Sequence, residues 1–190
     1  MVEGGRIDWA GHVNDAATSV REVQGFDQAV EVAASFYQKH STETLVIVTA
    51  DHETGGMSVD QNAFRPDLLS GQAVSYERFI LILKSFEKFG TLIMAEVEKE
   101  QNAIEKSYTR SWQGEKSGGY DPFLVFLLHL RDEQAGIAWT THGHSTVKVP
   151  VYALGVDADL FAGVQDNTDI FRVIRKIIAG GGETVEATNK

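Results

Sequence analysis

The sequence contains no cysteine, which excludes disulfides and requires that any bound zinc be held by histidine, aspartate or glutamate, not thiolate. No apolar stretch approaches the length of a membrane span, and Met1 to Arg6 has neither the basic end nor the apolar run of a signal peptide. Basic residues are the scarcer charge: 17 against 27 acidic ones leave a net charge of -10. Such a surface repels a phosphate backbone and argues against nucleic acid as a generic partner. An acidic protein that handles an anionic substrate needs concentrated positive charge at its site, and a bound divalent metal supplies it. No internal repeat or low-complexity tract occurs.

What is present suffices for a core. At 190 residues and 43% hydrophobic content the chain fits one soluble globular domain, or part of a larger one. It opens abruptly on a charged, glycine-bearing segment, and the expectation is a truncated beginning. From Asp8 to about Lys39, Val20, Val23, Phe26, Val30, Ala33 and Phe36 recur at helical steps, predicting a long helix broken near Gly25. Leu45 to Ala50 is a β-branched apolar run closed by Asp51-His52-Glu53-Thr54-Gly55-Gly56, which reads as a buried central strand with a loop at its end. A helix feeding such a strand predicts an α/β sheet covered on both faces.

Residues 74–136 read as a helical insertion, with an apolar stripe at Phe79, Ile82, Leu83 and Phe86 and a charged, solvated face from Glu96 to Lys106. Thr146 to Leu154 alternates as a strand, and Asp169 to Ile178 makes a final amphipathic helix capped by Thr168 or Asp166. Gly180 to Gly182 and the polar end read as a frayed tail.

Three clusters can carry chemistry. Asp8 and His12, four apart, put a carboxylate and an imidazole on one helix face, a spacing that suits a surface pair as well as a shared metal. Asp51 and His52 sit where an apolar strand ends, the edge at which α/β proteins place ligands, although a turn-forming aspartate fits there too. His144 precedes a strand between small residues, with His142 as its competitor. His40 and His129 lie on helices without acidic company and read as structural. Together the clusters offer two carboxylates and imidazoles at the ends of separate elements, the ligand chemistry of hard-to-borderline metals.

Glu3-Gly4-Gly5-Arg6-Ile7-Asp8-Trp9-Ala10-Gly11-His12, Thr49-Ala50-Asp51-His52-Glu53-Thr54-Gly55-Gly56 and Gly143-His144-Ser145 resemble, in order, three motifs of the alkaline phosphatase family. The similarity runs over residues 1 to 60 and 137 to 178.

The resemblance implies a three-layer α/β/α sandwich with a mixed, mostly parallel sheet, here an incomplete single domain over residues 1–190. It implies a phosphomonoester hydrolase using two Zn2+ and one Mg2+. Asp8, His12 and His144 resemble the ligands of the first zinc, Asp51 and His52 two ligands of the second, and Glu3 a carboxylate of the magnesium site. Small phosphomonoesters are the implied substrates, pairing as a homodimer is common in the family, and location is implied to be periplasmic or extracellular. The family's nucleophilic serine has no counterpart in this chain, so the chain alone is expected to be inactive or impaired. Ser145, Ser58 and Thr49 read as loop or strand packing. A metal-dependent phosphomutase or phosphodiesterase of the same superfamily, or a non-catalytic metal-binding module, are the alternatives. His144 lies before its strand and Asp51 after its own, so both reach one site only if those strands run antiparallel.

Overall fold

A computed structural model of the chain describes residues 1–85 and 119–180. The chain divides into two compact units, Met1–Asp27 with His52–Val147, and Gln28–Asp51 with Lys148–Lys190.

In the first unit, α1 (Gly5–His12) is followed by the opening turns of α2 (Ala16–Lys39). The predicted break near Gly25 is not found: Gly25 lies inside α2 and the interruption falls at residues 13–15. Two local causes account for it. Asn14 takes a left-handed backbone, φ 57°, which no α-helix accommodates. The Asp15 carboxylate then accepts from the Thr18 amide at 3.0 Å and the Thr18 hydroxyl at 2.7 Å, closing the first turn of α2. A lone glycine costs a helix about 1 kcal/mol, too little to stop one of 24 residues.

Further along come β2 (Glu53–Thr54), β3 (Ser58–Val59), α3 (Pro66–Ser70), α4 (Tyr76–Ser85), α5 (Pro122–Gln134), β4 (Ile137–Ala138) and β5 (His144–Ser145). Helices α4 and α5 fall within the expected helical stretch; Phe86 and Glu96 to Lys106 lie outside the described residues. Asp121 caps α5 by accepting from the Leu124 amide, Pro122 fills the first helical position where no amide proton is needed, and the Asp121 amide donates to the Tyr76 hydroxyl at 2.7 Å. Strand β2 pairs with β5 and β3 with β4, both antiparallel.

Ala16, Ala17, Leu69, Ala135 and Ile137 form the core, with Leu68 and Trp139 against it. Two buried carboxylates tie this core to the surrounding chain. Asp15 accepts from Gln72 Nε2 at 2.9 Å and the Tyr76 amide at 3.2 Å. Asp132 accepts from Arg131 at 2.6 Å, Trp139 Nε1 at 2.8 Å and the Ala16 amide at 3.3 Å. Burial holds the Asp132 carboxyl above the usual carboxylate range, with these donors opposing the shift.

In the second unit, the later turns of α2 accompany β1 (Leu45–Val48), β6 (Tyr152–Gly155), a 3₁₀ turn (Ala158–Phe161) and α6 (Asn167–Ile178). Strand β1 pairs with β6 antiparallel, from Leu45 opposite Gly155 to Val48 opposite Tyr152. The strand before Asp51 and the strand after His144 therefore run in opposite directions, as expected from the sequence. Strand β1 is half-buried along its length instead of fully buried, and β6 is its sole strand partner among the described residues. Every ladder among those residues is antiparallel, and the mixed helix and small-sheet content is that of an incomplete α/β fold.

Regular pairing after His144 resumes only at Tyr152, not Thr146, because Pro150 has no amide to donate. The α6 cap is Asp166, in a capping box with Asp169. Gly181 and Gly182 lie outside the described residues. No described helix is long and apolar enough to cross a membrane.

Candidate functional site

The spacing of Asp8 and His12 does on α1 what helical geometry dictates: His12 Nε2 lies 3.3 Å from Asp8 Oδ1, one turn away. His144 arrives from β5, where its Nε2 stands 3.7 Å from the same Asp8 oxygen. One ligand atom from each of Asp8, His12 and His144 lies within 4.8 Å of the other two. These side chains are 34%, 26% and 50% exposed, so solvent reaches the cluster. The set of one carboxylate and two imidazoles suits a borderline dication, and with no thiolate in the sequence it is the donor chemistry a cysteine-free zinc site must use.

His52 joins this neighbourhood. Its ring stacks on His144 with centroids 3.4 Å apart, while the His12 and His144 rings stand 5.1 Å apart. The Thr54 hydroxyl connects the groups: it donates to Asp8 Oδ1 at 2.6 Å and lies 3.2 Å from His52 Nδ1. With that proton committed to the carboxylate, the same oxygen accepts from His52 Nδ1. Thr54 escaped the sequence reading, although its two-residue offset from His52 places both on one face of an extended segment.

Register fixes His144. Thr54 is opposite it in the β2 and β5 ladder, and Glu53 is opposite Ser145. The Glu53 carboxylate accepts from the Ser145 hydroxyl and from the Gly56 amide at 2.9 Å. Gly55 and Gly56, both with positive φ, turn the chain so that the Gly55 amide donates to the Gly143 carbonyl at 2.9 Å. No larger residue fits at Gly55, where a Cβ would stand 2.5 Å from the Trp139 ring.

His142 is outside the cluster. It lies beneath, exchanging contacts with the backbone of His12 and facing His129, whose imidazole burial draws down to about 4 with a smaller push from His142. His129 is buried and bonded to Asn14, a structural histidine as its sequence context indicates, but one packed under the site. His40 pairs with Glu43 and stacks on Phe36. Asp51 is exposed just past β1 and belongs to the second unit, and Glu3 is exposed just before α1. Neither is among the three ligands of the cluster.

Fold and site together describe an α/β protein with a carboxylate and imidazole centre able to hold a metal. A family model described as alkaline phosphatase matches residues 1–179, and the chain belongs to the alkaline phosphatase family. Alkaline phosphatase 4 of Bacillus subtilis is 32% identical over 193 residues, covering 95% of this chain and 39% of that protein. The crystal structure of a cold-active alkaline phosphatase from a psychrophilic Shewanella species superposes with a TM-score of 0.67 at 34% identity, over 93% of this chain and 44% of that one. An alkaline phosphatase mutant from the Antarctic bacterium TAB5, solved with magnesium in its M3 site, gives a TM-score of 0.53 at 26% identity, over 93% of this chain and 34% of that one. The chain thus spans about two fifths of the length of the curated Bacillus relatives it matches.

Proposed function

We propose that this chain carries the metal-binding part of a phosphomonoester hydrolase, with Asp8, His12 and His144 holding a zinc ion. The observation behind it is the convergence of three ligand atoms, from α1 and β5, to within 4.8 Å of one another. We assign His52 and Asp51 to a second zinc and Glu3 to magnesium on their motif positions. Zinc bound in such a site supplies positive charge to phosphate oxygens and lowers the pKa of a bound hydroxyl or water.

The chain's own residues prepare that site. Asp8 lends the charge that favours a dication, and the Thr54 hydroxyl fixes which way its carboxylate faces. Glu53 and Ser145 pin the strand pair that presents His144. Among the described residues, the hydroxyls singled out in the sequence are engaged elsewhere: in the first unit Ser145 donates to Glu53, Thr54 to Asp8 and Ser58 to the Ala138 carbonyl at 3.4 Å, and in the second unit Thr49 donates to the Pro150 carbonyl at 3.2 Å. Each of these protons is already committed to an acceptor that holds the local structure. Because the family's nucleophilic serine has no counterpart among the motifs of this sequence, we assign the nucleophile to none of its residues, and the chain alone turns over little or nothing.

The test substitutes this chain for the matching segment of the Bacillus subtilis relative. With zinc and magnesium, the chimera is expected to hydrolyse an aryl phosphate monoester in preference to the diester of the same phenol and to lose activity on His12→Ala, while the isolated chain shows none. Preferential diester hydrolysis, or equal turnover by the isolated chain, would refute the proposal.

A further inference from the structure

Beneath the Asp8, His12 and His144 cluster the chain is cross-tied in an unusual way. His12 Nδ1 lies 2.6 Å from the backbone carbonyl of His142, and His142 Nδ1 lies 2.9 Å from the backbone carbonyl of His12. A carbonyl only accepts, so each ring must carry its proton on Nδ1. Two histidines 130 residues apart in sequence thus hold one another's main chain reciprocally.

Other contacts reinforce the tie. With its amide turned to satisfy every neighbour, Asn14 donates to the carbonyls of Gly11 at 2.8 Å and Thr141 at 3.0 Å and accepts from His129 Nε2 at 3.0 Å. The His129 ring lies nearly parallel to that of His142, 9° between planes and 5.9 Å between centroids. The end of α1 and the loop at residues 141–143 are therefore joined by side chains pointing in both directions, and His142 is the member that grips His12 itself.

We infer that His142 is a positioning residue, whose Nδ1 proton holds the His12 main chain so that the His12 ring stays in the Nδ1–H form with Nε2 presented beside Asp8. The role rests on the metal reading above, since Nε2 is the His12 atom that lies 3.3 Å from the carboxylate. Without the grip, the end of α1 separates from the 141–143 carbonyl, the ring exchanges between its two tautomers, and the ligand atom is protonated part of the time. Groups that orient a metal-binding histidine in this way change metal affinity typically 10- to 100-fold.

Asparagine and glutamine separate this role from packing. Asparagine places an amide nitrogen where His142 Nδ1 sits, whereas glutamine places one nearer the position of Nε2. In the metal-free 190-residue chain, long-range proton–nitrogen NMR of the neutral His12 ring should show the Nδ1–H tautomer in wild type and His142→Asn. His142→Ala and His142→Gln should give a mixture.

Zinc affinity, measured by chelator competition, should fall about 10- to 100-fold in the alanine and glutamine variants and stay within about threefold of wild type in the asparagine variant. An unchanged tautomer in His142→Ala, or an asparagine variant as impaired as the alanine one, overturns the inference. If the tautomers follow this pattern but the wild-type chain binds no zinc, the positioning role stands and the metal reading falls.

Discussion

Thr54 donates its hydroxyl proton to Asp8 across 46 residues of sequence, at 2.6 Å, and thereby sets the orientation of the carboxylate on which His12 and His144 converge. This bond ties β2 to α1, and the two elements also pack closely one turn on, where a Cβ on Gly11 would stand 2.9 Å from the Thr54 carbonyl oxygen. The site is thus built on two rigid elements, a helix turn and a strand pair, and not on either alone.

Thr54→Val keeps the shape of the side chain and removes its proton. The expected loss in unfolding free energy is about 1 kcal/mol, because Asp8 is 34% exposed and water replaces part of the bond. Zinc affinity should fall about tenfold or more, as when a ligand loses the group that orients it. Urea unfolding and chelator competition on the same preparation measure both, and an affinity loss no larger than the stability loss would show that Thr54 only packs.

Gly55→Ala should destabilise severely. Gly55 has φ +93°, and an added Cβ would press on the Trp139 ring at 2.5 Å and the Gly11 carbonyl at 2.9 Å. Backbone strain alone costs about 1 to 3 kcal/mol, and neither the ring, held by Asp132, nor the helix end can yield cheaply. Gly25→Ala is the contrast. Nothing lies within 4 Å of its Cβ, so the change should raise stability by about 0.5 to 1 kcal/mol through helix propensity.

His129 predicts a pH dependence of stability. Its folded value of about 4 lies below the ordinary 6.5, so the unfolded chain takes up the proton first. The contribution is fully present above 6.5 and is lost as pH falls towards 4. The loss is at most about 3 kcal/mol, less whatever solvent screens. His129→Gln keeps a donor towards Asn14 without the titration. Between pH 7 and pH 4.5, urea unfolding should show the wild type losing more stability than this variant.

The fold class and one side-chain contact were legible in the sequence, and the local placement of the helix break was not. The Asp8 and His12 spacing becomes a contact because both lie on one regular helix, where a four-residue step has one geometric meaning. The antiparallel relation of β1 and β6 is the one expected in the sequence from the positions of Asp51 after one strand and His144 before the other. The sequence places the break in the first helix at Gly25 because local propensity points to glycine, whereas the interruption lies at the left-handed Asn14 and the Asp15 cap, and Asp15 is further held by Gln72, Tyr76 and Arg131, partners far along the chain. Thr54 and the His142 grip were missed for the same reason. A threonine in a loop and the second histidine of a pair acquire roles only when β2, β5 and the end of α1 come together.

Equilibrium dialysis of the intact chain against zinc, with metal analysis, tests the central claim most directly. One tightly held zinc per chain, lost alike in Asp8→Ala, His12→Ala and His144→Ala, is the predicted result. A wild-type chain that retains no zinc, or a His144→Ala variant that retains it undiminished, would contradict the account.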